Sequence, residues 1–158
     1  FPPKFSPAHI PMTCSEELLT YSVEREGVVY NFAAVNVGNP HICIFMRNEA
    51  EYDYVKVGEL LSVHPLFPEG VNVGFACITP DDVIKLQVYE RGVGLTLACG
   101  SGACAVAVSA LRLAKISDRI VNVQQPGGDS SVEWVGDEAK IILSGGASYV
   151  FEGKYSLL

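Results

Sequence analysis

The chain has 158 residues, 49% of them apolar and 18% charged, and its 11 Lys and Arg against 18 Asp and Glu leave a formal charge of −7. That composition supplies one domain's core and excludes a disordered segment, a disulfide-stapled miniprotein and a general nucleic-acid binder, whose phosphates an acidic surface repels. No apolar run is long enough for a bilayer, no basic region precedes an apolar one at the start, and the five cysteines show no CxxC pair or zinc-like clustering with the histidines. Reduced thiols, a cytoplasmic setting, no metal and no membrane are therefore expected.

Residues 1–17 are rich in proline near their start (FPPKFSPAHIPMT) and read as an extended lead-in. Phe1 in place of Met leads to the expectation that the chain begins inside a longer gene product or after a cut. A domain is expected over 18–145. Two β-rich runs between Leu18 and Val37 flank a turn at Arg25-Glu26-Gly27, and a buried strand resumes at His41–Met46 after Gly38-Asn39-Pro40. Asp53 caps a short helix to about Val63, with Val55, Leu60 and Leu61 on its apolar side and Pro65 and Pro68 beyond its end. Strands are predicted at 71–78 and 83–89, joined by the turn Thr79-Pro80-Asp81-Asp82.

The stretch 101–116 (SGACAVAVSALRLAKI) is apolar on nearly every face up to Leu111, the mark of a helix buried inside something. Short strands follow at 120–124, 131–135, 139–143 and 147–151, punctuated by PGGD and SGG. The pattern predicts an α+β fold in which a β-sheet forms a barrel-like wrap around one central helix, without βαβ alternation.

The run Glu90–Cys104 (ERGVGLTLACGSGAC) holds a polar strand end, a glycine-containing loop, then a thiol, Cys99, at the mouth of that helix. The first amides of a helix lack internal partners and the macrodipole adds positive charge there, so the N–H groups of Gly100, Ser101 and Gly102 can hold a carboxylate. The same field favours thiolate over thiol. A thiol beside a carboxylate cradle suits removal of an amino acid's α-proton, since oriented amides stabilise the charge that develops. Inversion needs a second group on the opposite face, and Cys99 supplies one. The bland alternative for Cys99 is a small buried residue at a helix start. Cys104 lies deep in the apolar helix, and Cys14, Cys43 and Cys77 read as structural or incidental.

The segments GNPH (38–41), HPLFPEGVNVGF (64–75), YERGVG (89–94), TLACGSGACA (96–105), QPGGD (125–129) and VFEG (150–153), in this order, closely resemble the C-terminal half of diaminopimelate epimerases. The resemblance runs along essentially the whole chain. It implies one half of a pseudo-symmetric two-domain fold, each half a sheet around a central helix, each giving one cysteine to a site between them. It implies no pyridoxal phosphate or other cofactor, and interconversion of LL- and meso-diaminopimelate on the way to lysine and peptidoglycan. Carried across, Cys99 matches the second catalytic cysteine, and Gly100 and Ser101 match the amides that bind the α-carboxylate. Asn39, Asn72 and Arg91 match residues that hold the substrate's distal end. Glu90 and His41 match polar partners near the thiols, Glu90 either contacting the distal ammonium or tuning a thiol. The resemblance also implies that residues 146–158 form a terminal strand that returns to the other, missing domain. Here that strand is expected to fray, fold back or pair with another chain, which leaves room for a homodimer.

Each of these residues has a plainer reading. Asn39 before Pro40 is a turn residue, Arg91 a solvated charge, His41 a satisfied core histidine, and Glu90 with Arg91 a surface pair. Asn72 inside an apolar run needs a partner. Three departures from the resembled pattern stand out: Leu95 where ERGxGET has an acidic residue, Gly146 where a proline is common, and Ser101 for threonine. The alternatives are a proline- or hydroxyproline-racemase-like or phenazine-pathway-type isomerase, a non-catalytic binding module, and a cysteine hydrolase, for which no oriented Cys–His–Asn or Cys–His–Asp set is evident.

Overall fold

The computed structural model describes residues 2–136 and 138–156. Chain order is β1 (Tyr21–Arg25), β2 (Val28–Asn36), β3 (Pro40–Met46), α1 (Tyr54–Ser62), β4 (Asn72–Ile78), β5 (Ile84–Glu90), β6 (Gly94–Thr96), α2 (Gly100–Arg112), β7 (Ile120–Gln125), β8 (Gly128–Glu133) and β9 (Ile142–Gly145). All nine strands belong to one mixed sheet in the order β1-β2-β3-β4-β5-β7-β8-β9, with β6 paired to β5. The two parallel pairs, β3 with β4 and β5 with β7, are joined through α1 and α2 respectively. A parallel pair cannot be closed by a tight turn, and each crossover here is made by a helix. The α+β expectation holds, with two βαβ-like crossovers that the alternation reading left out.

Helix α2 touches β2, β3, β4, β5, β7 and β8, so the sheet curls around it. Ala103, Ala105, Val106, Ala107, Val108 and Ala110 are fully buried, which accounts for the unbroken apolar sequence. Helix α1 lies on the other face. Successive side chains of β3 divide between the two cores: Cys43 packs towards α2, while Ile42, Ile44 and Met46 join Val57 and Leu61 of α1. A strand covered on both faces has no solvent side to make polar, hence the run HICIFM.

Several boundaries differ from the sequence reading. The first hairpin turns on two residues, Glu26 and Gly27, both with positive φ (51° and 75°), and Arg25 pairs with Val28. This backbone twist matches that of the flanking strands. Asp53 does cap α1, its carboxylate accepting from the amides of Val55 and Lys56 at 3.1 Å each. The buried face of α1, however, is Val57, Gly58, Leu61 and Ser62, and Val55 is exposed. Helix α2 stops at Arg112, four residues short of expectation. Ala114 takes φ of 52°, and the amides of Ala114 and Lys115 reach back to the carbonyls of Leu111 and Ala110. That is the Schellman arrangement with alanine in the glycine position, so no glycine or proline signals the stop.

The lead-in is not extended. Residues 6–11 turn, Lys4 bridges to Asn36, and Ile10 and Met12 are buried in the α1 core. Apolar side chains at 10 and 12 outweigh the proline content. At the other end, the strand predicted at 147–151 does not form: residues 146–156 carry no secondary structure, and Tyr149, Val150, Phe151 and Tyr155 are all more than 80% exposed. A β-run without a neighbouring ladder has no partner for its amides and carbonyls. Residues 157 and 158 lie outside the described residues.

Candidate active site

One edge of the sheet gathers the candidate residues. His41 opens β3 and Asn72 opens β4, and the parallel register sets them side by side. Antiparallel β5 runs the other way and ends there at Glu90. Helix α2 starts at the same edge, since His41 on β3 meets Ser101 in its first turn. Residues from four elements converge because two parallel strands begin where an antiparallel one ends.

Cys99 is the N-cap of α2, with φ −141° and ψ 108°. Its Sγ accepts from the Gly102 amide at 3.4 Å, as a serine hydroxyl does at such a position, and lies 3.5 Å from Ser101 Oγ. Its own amide donates to Gln125 Oε1 at 2.8 Å. Only 6% of Cys99 is exposed and it belongs to the α2 core cluster, yet its sulfur also meets a hydroxyl and an amide. Beside it opens a cleft of ≈ 570 Å³ lined by Ala98, Gly100, Gln125, Asp129 and Leu143 among others. The amides of Gly100 and Ser101 find no protein acceptor among the described residues, which leaves two adjacent donors at the positive end of α2.

His41 is 1% exposed, and its Nε2 lies 3.1 Å from both Asn39 Oδ1 and Ser101 Oγ. A carboxamide oxygen only accepts, so the ring proton sits on Nε2. Nδ1 has no partner among the described residues. Burial, with a further contribution from the Arg91 charge, pushes His41 down from 6.5 to about 3. The ring is therefore neutral near pH 7, and a polar line runs Asn39–His41–Ser101–Cys99.

Asn72, 4% exposed, has the partners it needs: Nδ2 donates to the Pro40 carbonyl at 2.9 Å and Oδ1 accepts from the Arg91 amide at 3.0 Å. One amide proton remains free of these bonds. Arg91 bends its Nη1 onto the carbonyls of Glu69 (2.6 Å) and Gly70 (3.3 Å). Glu90 Oε1 accepts from Thr96 Oγ1 at 2.7 Å, not from Arg91. Asn39, His41, Ser101 and Cys99 thus form one connected group, and Asn72 with Arg91 a second. Glu90 bonds back to β6.

Chain comparison adds an independent line. The family model described as Diaminopimelate epimerase matches residues 33–150. The chain belongs to the diaminopimelate epimerase family. Among curated members of this family, that of Thioalkalivibrio sulfidiphilus is 41% identical over 157 residues, covering 99% of the chain and 56% of the relative. That of Legionella pneumophila (strain Corby) is 43% identical over 152 residues, 96% and 54% respectively. The chain therefore spans about half the length of the diaminopimelate epimerases it matches. A hydroxyproline epimerase structure from Agrobacterium vitis superposes with a TM-score of 0.57 at 18% identity, over 82% of this chain and 46% of that one. A probable proline racemase from Agrobacterium radiobacter gives 0.54 at 15%, over 79% and 44%. These two likenesses establish the fold.

Gln125 and Thr96 touch site residues yet did not stand out as such in the sequence. Gln125 ends β7 at a QPGG turn and Thr96 ends the short β6, and neither position carries a local pattern that predicts a partner 26 or 6 residues away. Among the described residues no group of three or more His, Cys, Asp or Glu could hold a metal, and no helix is long and apolar enough to cross a membrane.

Proposed function

We propose that this chain is the second-thiol half of a diaminopimelate epimerase and works by proton exchange at the substrate's α-carbon. The carrying observation is Cys99 at the tip of α2, next to the unengaged amides of Gly100 and Ser101. Those amides take the α-carboxylate. In one direction the Cys99 thiolate removes the α-proton, the electron pair passes into the carboxylate, and a second thiol on the opposite face delivers a proton to the carbon. In the reverse direction the thiols exchange tasks. No net oxidation occurs and both protons are accounted for.

The other residues serve this step. The single proton on neutral His41 Nε2 is shared between Asn39 Oδ1 and Ser101 Oγ, which leaves the Ser101 hydroxyl to donate to the Cys99 sulfur. Asn39 holds the ring's tautomer. In this reading Asn72 with its remaining amide proton, Arg91 and Glu90 hold the substrate's distal carboxylate and ammonium, which their gathering near the start of α2 supports. The second thiol belongs to the missing first half. Exposed Leu97, two residues before Cys99, and exposed Leu143 on the lining of the cleft favour a site that closes against another domain. We assign residues 18–145 to the catalytic domain and 146–158 to the strand that returns to that first half. A homodimer of the completed enzyme and a cytoplasmic setting, in keeping with five free cysteines, complete the reading.

The test is α-hydrogen exchange and epimerisation of LL-diaminopimelate in deuterated water, with proline as control substrate. The lone chain should give no turnover and the chain joined to its missing half should give activity. Cys99→Ala should lower that activity by roughly 10²–10⁴-fold or more, the range for loss of one positioned acid/base group. Full epimerisation by the lone chain, or by the Cys99→Ala enzyme, overturns the two-thiol reading.

A further inference from the structure

The turn between β7 and β8 reaches across to the loop that carries the thiol. Gln125 Oε1 accepts from the Cys99 amide at 2.8 Å, and two residues on, the Gly127 amide donates to the Leu97 carbonyl at 2.7 Å. The backbones come close enough that a Cβ on Gly127 would sit 3.1 Å from the Leu97 carbonyl oxygen and from Ala98 Cβ. Along α2's first turn, the Cys99 amide is thus taken by Gln125, the Gly102 amide by Cys99 Sγ and the Ala103 amide by the Cys99 carbonyl. In this turn the Gly100 and Ser101 amides have no acceptor among the described residues.

We propose that Gln125 is a positioning residue for the thiol. Its carboxamide ties down the Cys99 amide, and together with Gly127 it clamps Leu97–Cys99 to the β7–β8 turn. The Gly100 and Ser101 amides are then the only two donors left for a substrate carboxylate. Without that acceptor the Cys99 amide becomes a third donor at the helix mouth, and the cap loses the bond that orients it. A bound carboxylate then slides towards Cys99 and away from the line between sulfur and α-carbon. A misplacement of about 1 Å is enough to cost a large factor in rate. The inference rests on Cys99 being a catalytic thiol, but its decisive readout does not.

That readout is the backbone amide of Cys99 in proton–nitrogen correlation spectra of the whole chain. In the parent chain this amide should be protected from hydrogen exchange. Gln125→Leu, close in volume but without an acceptor, should move its resonance upfield and speed its exchange by about 10-fold or more. Gln125→Glu keeps an acceptor and should restore protection. An unprotected Cys99 amide in the parent, or a Gln125→Leu spectrum unchanged at Cys99, overturns the clamp. So does a Gln125→Glu chain in which the Cys99 amide stays as unprotected as in Gln125→Leu. In the completed enzyme Gln125→Leu should lower kcat more than it raises KM. Absence of diaminopimelate turnover in that enzyme would instead count against the proposed function, with the amide readout deciding the clamp on its own.

Discussion

A neutral imidazole at the heart of the site makes His41 a pH reporter for the fold. Its folded value of about 3 lies below the ordinary 6.5, so between these limits the unfolded chain binds a proton that the folded chain refuses. Stability from this group is complete above about pH 6.5 and declines as pH falls towards 3, by about 1.4 kcal/mol for each pH unit in that window. Urea unfolding from pH 7 down to about pH 4 should show that slope, and His41→Gln should flatten it. The cysteines divide on similar grounds. Burial pushes the Cys43 thiol up to about 12, and burial aided by nearby Cys99 raises Cys104, so both stay protonated and inert near neutral pH. Mass mapping after brief iodoacetamide treatment should find Cys99 labelled well ahead of Cys43 and Cys104; equal labelling of all three would contradict an activated thiol. Cys99 was legible beforehand because Gly100 follows it at a helix entrance. The burial of His41 was legible too, as the plainer reading of a histidine in an apolar strand, whereas its bond to Ser101, 60 residues away, was not, since such a strand carries no mark of the partner.

Helix α1 is held to the sheet by a close approach that sequence propensity argues against. Glycine costs about 1 kcal/mol relative to alanine inside a helix, yet Gly58 sits mid-helix. A Cβ there would lie 2.3 Å from Cγ and 2.5 Å from Cβ of Tyr89 on β5, atoms too near the backbone to swing aside. Gly58→Ala should therefore destabilise the chain by about 1–3 kcal/mol despite its better propensity, measured as a lower midpoint in urea unfolding. A rise in stability would mean that the helix can lift off the sheet without cost. The cap at Asp53 was legible because an N-cap is a short-range bond. The apolar face was right at Leu61, which is fully buried, and at Leu60, which packs partly against the core, but wrong at Val55, because Val55 and Val57 are equally hydrophobic and the sheet beneath decides which one turns inward. The end of α2 was overshot for a related reason: Ala114 adopts a left-handed conformation that its sequence does not advertise.

Taken as a whole, the molecule finishes its core on one side and leaves another side bare. The curled sheet covers α2 with six strands, while Leu97, two residues before the thiol, and Tyr149, Val150 and Phe151 in the last segment stand in solvent. Removing residues 147–158 should change the lone chain's unfolding free energy by less than about 0.5 kcal/mol, as expected where little is buried, and should reduce self-association seen by sedimentation velocity. A large loss of stability would show that the segment belongs to this half's own core. Composition, the unbroken apolar run of α2 and the thiol followed by Gly100 already conveyed an α+β chain with a cysteine at a helix entrance, because burial and helix polarity are written into neighbouring residues. The gathering of His41, Asn72 and Glu90 on one edge, the Gln125 bond to Cys99 and the inward packing of the lead-in arise only when distant strands pair in register. Contacts between residues tens of positions apart are set by sheet order and crossover direction, and these depend on how every element competes for the same two cores.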